Sequence, residues 1–433
     1  MKNYTIKPSK LSGTISASPS KSHSLRAILF ASLATGKSII SNYLPSPDAA
    51  AMIQACQLLG ANISQNNTQL DIIGVSGKPR LADNVIDAGN SGQVLRFVAA
   101  IAALCEGYTI FTGDHSVRYN RPLQPLIEAL SQLGAQCIST KNDGYAPLII
   151  KGPIHAGHTS LDGADSQPVS ALLIAAILLE GTTEISVRNP GEKPWLALTL
   201  AWFDRLGLQY QHSDYQHYVV TGKQSLNGFN YTVVGDFSSI AYPLVAAIIT
   251  QSTITIDNLD INDAQGDKQL IHALIKMGAN IIIDEKNFSL RVKPGNGLHG
   301  CELDINDFID AVTILAVVGC YAQGTTTLTN AAIARNKECD RLATITAELT
   351  KMGADIHETS DGLTIHHATL HAADNLTSHH DHRIVMSLVV AALGIPDTAD
   401  VSSQSTVHDI DCVKKSYPDF LVDMKNLDCN INE

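Results

Sequence analysis

The residues with the clearest potential for chemistry lie near the end of the chain, where residues 377–384 read TSHHDHRI. Three histidines and one aspartate within four positions are side chains that coordinate metal ions. The next residue, Arg383, is permanently positive, so it would repel a metal ion and attract an anion. This stretch alone leaves two hypotheses open, a metal centre and an anion-binding site.

Five other stretches share its character, because each is polar and precedes an apolar segment that predicts a helix. They read SPSKSHSLRA, DAGNSGQVLRF, GADSQPVSAL, VGDFSSIAYP and DINDFIDAV. Ser, Asp and Asn are common N-cap residues, so capping explains most of this polarity. Capping does not explain the positive charges, since a cation at a helix N-terminus opposes the helix dipole. The cations are Lys21, Arg26, Arg96 and Arg383, together with Arg121, Lys193, Lys337, Arg341, Lys414 and Lys415 at the predicted starts of further helices.

Anion binding accounts for these cations, because free N–H groups at helix N-termini and nearby positive side chains bind anions together. A single cation of this kind is usually a solvated surface residue. As a set, they predict a ligand with several negative charges, such as phosphate plus carboxylate. We expect the helix N-termini to face one cleft, which closes around its ligands.

The elements that position these residues repeat along the chain. A helix end followed by a strand recurs at intervals of 71 to 75 residues, with Gly at the helix C′ position, where a positive φ is needed. The five glycines are Gly60, Gly134, Gly207, Gly278 and Gly353, and Asp428 occupies a degenerate sixth copy. An apolar helix followed by an alternating strand also recurs six times, the last copy being AALGIPDTADVS at 391–402.

These patterns predict six β-α-β-α-β-β repeats of about 72 residues. Two inverse α/β domains, each of three repeats with pseudo-threefold symmetry, fit the usual size of a domain. We expect one domain at 21–234 and a discontinuous one made of 1–20 and 235–433. The N-terminal strand precedes the first apolar helix, so it is predicted to complete the last repeat.

Composition excludes several classes of protein. The chain has 433 residues, 45% hydrophobic and 17% charged, which is enough apolar material for large cores. The absence of a long apolar run argues against a membrane span, the first 21 residues lack the apolar segment of a secretory signal, and a net charge of −12 argues against nucleic acid. Eight cysteines without a C-x-x-C pair indicate a reducing, cytoplasmic location.

Taken in order, the polar motifs resemble those of the 5-enolpyruvylshikimate-3-phosphate synthase family over the whole chain. The resemblance depends on PSKSHSLRA, GNSGQVLRF, RPLQPLIEALSQLGA, SQPVSALL, GDFSSIAY, KECDRL, HDHRIVM and KKSYPDF. It implies the two-domain fold described above. It also implies transfer of the enolpyruvyl group of phosphoenolpyruvate to the 5-hydroxyl of shikimate 3-phosphate, with no metal and no cofactor, by a monomeric enzyme.

The resemblance also implies roles for individual residues. The catalytic residues are expected to be Lys21, Asp310 and Glu338, the two carboxylates forming the proton-transfer pair. Shikimate 3-phosphate is expected to bind Lys21, Ser22, Arg26, Asp165, Ser166, Gln167, Asp310 and Lys337. Phosphoenolpyruvate is expected to bind Lys21, Asn90, Gly92, Arg96, Arg121, Gln167, Arg341, Asp381, His382, Arg383 and Lys415. On this interpretation Asp381 caps the helix, Arg383 holds an anion, and His379 and His380 are solvated loop residues.

Five positions depart from the family pattern. Asp165 and Glu192 stand near the expected phosphate, where a carboxylate is repulsive unless it turns away, caps a helix or pairs with Lys193 or Arg188. The other departures are Gln93, Trp195 and Ile333. They bear on affinity and on the response to glyphosate, the inhibitor of the family.

Three alternatives remain. A sister enolpyruvyl transferase acts on UDP-N-acetylglucosamine, but it uses Lys-Asn where this chain has Lys21-Ser22. It also has a reactive Cys on a loop that here reads TGDHSVRYNRP. A metal-binding protein would use the histidines between 357 and 382, but their spacing matches no common zinc site. An inactive scaffold would not be expected to retain Lys21, Asp310, Glu338 and Arg383.

Overall fold

The computed structural model describes residues 2–396 and 404–433. The chain divides into two compact domains. The first domain is Pro19–Val233, and the second domain is formed by the chain on both sides of it. The expected boundaries, at 20/21 and 234/235, lie one or two residues from these.

The first two strands of the chain belong to the second domain, and the elements of the first domain come next in the sequence. The strands are β1 (Asn3–Ile6) and β2 (Ser12–Ser16). The elements of the first domain are α1 (Lys21–Leu33), β3 (Lys37–Ser41), α2 (Pro47–Leu58), β4 (Asn62–Asn66), β5 (Gln69–Ile73), β6 (Ile86–Asp87), α3 (Gly92–Ala102), β7 (Gly107–Thr112), α4 (His115–Tyr119), α5 (Gln124–Gln132), β8 (Gln136–Ser139), β9 (Leu148–Gly152), β10 (His158–Asp162), α6 (Ser166–Ala176), β11 (Thr182–Arg188), α7 (Lys193–Arg205), β12 (Tyr210–Ser213), β13 (His217–Thr221) and β14 (Asn230–Thr232).

The rest of the second domain has the same alternation of helices and strands. Its elements are α8 (Phe237–Ile249), β15 (Thr253–Asp257), α9 (Gln269–Lys276), β16 (Asn280–Asp284), β17 (Ser289–Lys293), β18 (Glu302–Asp304), α10 (Val312–Tyr321), β19 (Thr325–Thr329), α11 (Arg341–Lys351), β20 (Asp355–Glu358), β21 (Leu363–His366), β22 (Leu376–Thr377), α12 (His382–Leu393), β23 (Ser405–His408), α13 (Phe420–Asn426) and β24 (Ile431–Asn432). Short 3₁₀ helices occupy Gly266–Lys268, Asn306–Ala311, Ala332–Asn336 and Ile410–Lys415.

Within residues 2–396 and 404–433 the strands form six four-stranded sheets, three in each domain, and each sheet contains one parallel and two antiparallel pairs. In the first domain the strand orders are β14-β3-β5-β4, β6-β7-β9-β8 and β10-β11-β13-β12. In the second they are β16-β17-β15-β2, β18-β19-β21-β20 and β22-β23-β1-β24. The predicted β-α-β-α-β-β repeats are therefore confirmed.

The circular offset is also confirmed, with one addition. Strand β1 pairs with β23 and β24, so it completes the sixth repeat. Strand β2 pairs with β15, so it opens the fourth repeat and not the first. The first repeat receives its opening strand from β14, at the end of the first domain. Residues 397–402 of the predicted sixth helix–strand copy lie outside the described residues.

The predicted helix C′ positions have positive φ angles at all six copies. Glycine adopts this conformation without strain, which explains its presence at five copies, and Asp adopts it at the sixth. The angles are 108° at Gly60, 108° at Gly134, 69° at Gly207, 103° at Gly278, 87° at Gly353 and 63° at Asp428. These turns return each helix to its sheet.

Each domain has its own hydrophobic core. The helices α3 and α6 in the first domain, and α8, α10 and α12 in the second, are buried along almost their whole length. A helix that is apolar on every side belongs inside a domain. Such a helix can present polar groups at its ends, and Arg96 and Arg383 lie toward the N-terminal ends of α3 and α12. No helix among the described residues is long and apolar enough to cross a membrane.

Candidate active site

The N-termini of α1, α3 and α6 lie together in the first domain. Ser20, Ser91 and Asp165 are their N-caps, and each side chain accepts a hydrogen bond from the first turn. Contacts between side chains connect these ends to one another. We call the first-domain cluster these three N-caps together with the polar side chains beside them and Gly92: Lys21, Arg26, Asp48, Gly92, Arg96, Arg121, Gln167 and Glu192.

Asp48 connects the ends of α1 and α3. Its carboxylate lies 3.7 Å from the Lys21 ammonium group and accepts a hydrogen bond of 2.9 Å from Ser91. Asp48 is buried in the first turn of α2. Lys21 is thus held by a carboxylate that the sequence did not single out.

Two cations lie close to Gly92: Arg96 of α3 and Arg121, which precedes α5. A Cβ atom at Gly92 would lie 2.8 Å from an Arg96 guanidinium nitrogen, and 3.5 Å from Arg121 and from Gln167. Arg96 also donates to the Gln167 side chain at 2.8 Å and lies 3.0 Å from the Asp165 carboxylate. The predicted set of Gly92, Arg96, Arg121 and Gln167 is therefore brought together.

The two unexpected carboxylates are both occupied by local partners. Asp165 caps α6 by accepting from the Gln167 backbone at 2.9 Å, as well as pairing with Arg96. Glu192 is buried, and its carboxylate accepts from the backbone and hydroxyl of Ser166, both at 3.1 Å. Of the possibilities left open for these two carboxylates, Asp165 caps a helix, and its ion-pair partner is Arg96 and not Lys193 or Arg188.

Arg26 is 3% exposed, and the hydrogen-bond acceptors described for it are neutral. Its guanidinium donates to the Thr199 hydroxyl at 2.9 and 3.1 Å, to the Trp195 carbonyl at 3.2 Å and to the Ser22 carbonyl at 3.3 Å. Burial lowers the pKa of Arg26 to about 9. An anion beside this group would favour its charged form.

Asn90 lies in the loop before α3, where it donates to the Asp114 carboxylate. Gln93, the second residue of α3, is buried, and its amide nitrogen has no hydrogen-bond partner among the described residues.

The second domain repeats this arrangement, with Arg341 as its central cation. Arg341 is 1% exposed and opens α11. It forms ion pairs with Asp310 at 2.8 Å, Glu338 at 2.6 Å and Asp381 at 2.7 Å. Burial alone would lower the pKa of Arg341, but its three carboxylate partners raise it well above its ordinary value. We call Arg341, its partners and the cations that share them the second-domain cluster.

Asp310 bridges two arginines. Its second oxygen lies 2.7 Å from Arg383, which also donates to the Ser238 hydroxyl at 3.2 Å near the start of α8. Burial would raise the pKa of Asp310, but Arg383, Arg341 and Lys337 hold it well below its usual range. This carboxyl is therefore ionised while its cationic partners remain in place.

Glu338 is buried between Arg341 and Lys415, whose ammonium group lies 2.6 Å from it. Lys337, the preceding residue, is also buried. Lys414 and Lys415 were expected to open a helix, and this is wrong. They end the 3₁₀ helix Ile410–Lys415, and α13 begins only at Phe420, beyond Pro418. The residue before a proline disfavours helical backbone, which accounts for the break.

The stretch TSHHDHRI forms the entry to α12. Asp381 caps the helix by accepting from the Arg383 backbone at 2.8 Å, which confirms its predicted role. His382 is the buried first residue of the helix. His379 and His380 lie exposed in the loop before α12, as expected, and each also pairs with a carboxylate at 2.8 Å, His379 with Glu348 and His380 with Asp409.

Within the described parts of the chain, no group of three or more His, Cys, Asp or Glu residues could hold a metal ion. The residues of TSHHDHRI bind one another, Arg341 and neighbouring carboxylates instead. Both clusters combine helix N-termini with cations, which is the arrangement that binds phosphate and carboxylate.

Comparison with known proteins agrees with this chemistry. The family model described as EPSP synthase (3-phosphoshikimate 1-carboxyvinyltransferase) matches residues 6–424. The chain belongs to the EPSP synthase family. Its relatives include 3-phosphoshikimate 1-carboxyvinyltransferases of Chlamydia caviae, 43% identical over 100% of this chain and 95% of the relative, and of Methanococcus vannielii, 38% identical over 98% of each. An EPSP synthase structure from Acinetobacter baumannii covers 100% of both chains with a TM-score of 0.80 and 27% identity.

Several residues of this EPSP synthase family member were not singled out by sequence reasoning. Asp48 stands in an ordinary capping sequence, and Ser238 and Tyr242, both within hydrogen-bonding reach of Arg383, lie in the quoted motif GDFSSIAY. Asp267 lies in the 3₁₀ helix Gly266–Lys268, where burial and the nearby charge of Asp310 raise its pKa well above the usual value. Only the GDFSSIAY motif carried a signal that could have identified its residues.

Proposed function

We propose that this chain is a 3-phosphoshikimate 1-carboxyvinyltransferase. It transfers the enolpyruvyl group of phosphoenolpyruvate to the 5-hydroxyl of shikimate 3-phosphate. The new bond joins the hydroxyl oxygen to the carbon that carries the phosphate, and the bond from that carbon to the phosphate oxygen breaks. Inorganic phosphate and 5-enolpyruvylshikimate 3-phosphate are the products.

The observation that carries this proposal is the second-domain cluster. Two of its carboxylates, Asp310 and Glu338, lie among the cations Arg341, Arg383 and Lys415. The reaction needs a proton donor and acceptor for the enol carbon and the hydroxyl, and it needs positive charge for two anionic substrates. A group that combines both features suits this chemistry better than simple anion binding.

Shikimate 3-phosphate is assigned to a set of residues that offers positive charge and hydroxyl or amide donors. Arg26 is the strongest member, because its described acceptors are neutral and an anionic carboxylate would stabilise its charge. The full set is Lys21, Ser22, Arg26, Asp165, Ser166, Gln167, Asp310 and Lys337. Asp165 belongs to it through the cap and ion pair by which it orients Gln167 and Arg96.

Phosphoenolpyruvate is assigned to the remaining cations and to Gly92. The missing side chain at Gly92 leaves room beside Arg96, Arg121 and Gln167, so a ligand can approach the backbone there. The full set is Lys21, Asn90, Gly92, Arg96, Arg121, Gln167, Arg341, Asp381, His382, Arg383 and Lys415. Asp381 acts through Arg341 and the backbone of Arg383, which it fixes.

Glu338 and Asp310 are assigned as the proton-transfer pair, with Lys21 as the third catalytic residue. During addition, the enol carbon gains a proton and the 5-hydroxyl loses one. During elimination, the same carbon loses a proton as phosphate leaves. The cations that bind phosphoenolpyruvate also hold these carboxylates, so the incoming anion competes for Arg341, Arg383 and Lys415. This competition would raise the carboxylate pKa values and prepare the groups to carry protons.

The alternative activity on UDP-N-acetylglucosamine has no support in the chain. The loop where a reactive Cys would stand reads TGDHSVRYNRP, and the family model that matches is that of EPSP synthase. The eight cysteines are free thiols, which suits a reducing cytoplasm, and we propose a monomeric enzyme there. Light scattering in solution checks the oligomeric state, a mass near 46.3 kDa being expected.

The test is release of inorganic phosphate from phosphoenolpyruvate by the purified protein. We expect release with shikimate 3-phosphate and none with either substrate alone. UDP-N-acetylglucosamine is the matched acceptor, and phosphate release with it but not with shikimate 3-phosphate would overturn the proposal. Mass spectrometry of the product identifies the enolpyruvyl group and excludes simple hydrolysis.

A further inference from the structure

The first turn of α1 contains a buried histidine that the proposed mechanism does not use. His23 is 3% exposed and lies between Ser22 and Arg26, two residues assigned to shikimate 3-phosphate. Its backbone N–H contacts the N-cap Ser20 at 3.4 Å. His23 therefore belongs to the part of α1 that is proposed to bind substrate, but its side chain is buried.

Two donors converge on one nitrogen of this imidazole. The Trp202 indole N–H donates to His23 Nδ1 at 3.1 Å, and the Tyr231 hydroxyl lies 3.0 Å from the same atom. The three rings pack together, with Trp202 also stacked on Phe30 at a centroid distance of 5.6 Å. This arrangement joins α1 to α7 and β14.

The chemistry of this contact fixes the state of His23. An indole N–H can only donate, so Nδ1 must carry a lone pair, and the proton of the neutral ring is on Nε2. An imidazolium has no lone pair and could not accept the Trp202 hydrogen bond.

The charged groups on the helices that carry this contact and on the neighbouring α2 are mixed in sign. Arg205 of α7 lies over the Trp202 and Tyr231 rings at 5.9 and 4.8 Å. Helix α1 contributes Lys21 and Arg26, and α2 contributes Asp48, which pairs with Lys21.

The same pair of helices holds Arg26. Its guanidinium donates to Thr199 and to the Trp195 carbonyl of α7, and also to the Ser22 carbonyl in the first turn of α1. The His23–Trp202 bond and the Arg26–Thr199 bond therefore join α1 to α7 at two places. If the His23–Trp202 bond is lost, the first turn can move, and Ser22 and Arg26 move with it.

We propose that His23 is a positioning residue for shikimate 3-phosphate, whose neutral imidazole holds the first turn of α1 against Trp202 of α7. The proposal rests on the proposed function. It makes the affinity for shikimate 3-phosphate depend on a side chain that does not touch the substrate.

The test compares His23→Ala with His23→Asn in the full-length enzyme. The Asn side-chain oxygen stands two bonds from Cβ, as Nδ1 does, so it can accept from Trp202 but cannot be protonated. We expect His23→Ala to raise the KM for shikimate 3-phosphate about tenfold, because a buried indole N–H loses its acceptor. The kcat should change less than about twofold, and His23→Asn should restore the KM. Equal losses in both variants would overturn the proposal.

A measurement without substrate keeps this inference distinct from the proposed function. The chain has two tryptophans, so Trp195→Phe leaves Trp202 as the only indole emitter. Loss of the hydrogen bond to His23 should change the Trp202 emission when His23→Ala is added, and His23→Asn should keep the emission of the parent protein. If both proteins respond alike, His23 does not control this contact. Failure of phosphate release alone would instead count against the proposed activity.

Discussion

Arg26 in the first domain and Arg341 in the second are both buried guanidinium groups close to a helix N-terminus, but their partners differ. Arg26 donates to a hydroxyl and two carbonyl groups. Arg341 pairs with three carboxylates. Burial lowers the pKa of Arg26 to about 9, whereas the partners of Arg341 raise its pKa well above the ordinary value.

The difference indicates two ways of preparing for an anionic ligand. In the first-domain cluster, Arg26 gains a charged partner only when an anion binds. In the second-domain cluster, an anion must share cations with carboxylates that already hold them. On the proposed assignment, this sharing frees Asp310 and Glu338 for proton transfer. The first arrangement favours affinity, and the second couples binding to chemistry.

The largest expected effect comes from neutralising Glu338, the carboxylate shared by Arg341 and Lys415. Glu338→Gln removes the proposed proton-transfer group while keeping its size. We expect kcat for phosphate release to fall by roughly 10²- to 10⁴-fold, the usual loss for a general acid or base. Stopped-flow or steady-state phosphate assays measure it.

Glu358→Gln is the matched control, because Glu358 also pairs with an arginine, Arg335, but on the exposed surface. It should leave kcat within about twofold of the wild type, as expected for an exposed pair. If Glu338→Gln retained more than a tenth of wild-type turnover, the second-domain cluster would be an anion site without proton transfer.

The next effect tests the comparison through stability. Arg341→Met leaves three carboxylates without their shared cation. Since removing one partner of a buried ion pair lowers the free energy of unfolding by on the order of 3–5 kcal/mol, we expect a loss of this size. Arg26→Met removes a buried charge that has neutral acceptors, so we expect a cost of about 1 kcal/mol or less. Thermal melts of the unliganded proteins compare the two variants. Equal losses of Tm would show that the two arginines are compensated to the same degree.

The repeats of the chain explain why much of the fold could be predicted from sequence. Gly60 and its counterparts mark helix ends because a residue with a positive φ is needed at each of them. Apolar helices flanked by polar caps predicted α1, α3 and α12, and the spacing predicted the discontinuous second domain. The pairing of β2 with β15 was not predicted, because one strand carries no signal for its partner.

The site was less accessible to sequence reasoning, for a physical reason. Cations such as Arg341 stand out because they oppose the helix dipole, and Arg341 is indeed within the second-domain cluster. Their partners depend on tertiary contacts between distant segments, as in the pairing of Asp48 with Lys21 and of His379 with Glu348. A carboxylate in an ordinary capping sequence gives no sign of such a contact.

A third prediction asks whether carboxylate-dependent stability extends beyond the second-domain cluster. Glu348 accepts from the Thr377 backbone at 3.0 Å and pairs with Lys351 and His379. Burial opposes its ionisation, but His379, Lys351 and the Thr377 N–H lower the pKa of Glu348 to about 2. The ionised Glu348 therefore adds roughly 2–3 kcal/mol to the free energy of unfolding. This contribution is complete above about pH 4.5 and is lost as the pH falls toward 2.

Thermal melts at pH 6 and pH 3 test this prediction. Glu348→Gln should be less stable than the wild type at pH 6, and the difference should shrink at pH 3. The exposed Glu128→Gln is the control and should follow the wild type at both values. A constant difference between Glu348→Gln and the wild type would mean that the charge of Glu348 is not what stabilises the entry to α12.

The smallest expected effect tests how tightly the first-domain cluster is arranged before ligands bind. In Gly92→Ala the new methyl carbon would lie 2.8 Å from an Arg96 guanidinium nitrogen, so that side chain must move. Arg96 is also held by Gln167 and Asp165, and the movement should reach them. We expect the KM for phosphoenolpyruvate to rise about tenfold, a loss of about 1.4 kcal/mol, with a smaller change in kcat. Gly157→Ala, where an added Cβ meets nothing within 4 Å, is the control. If kcat fell while this KM stayed constant, Gly92 would serve the transition state and not the binding of phosphoenolpyruvate.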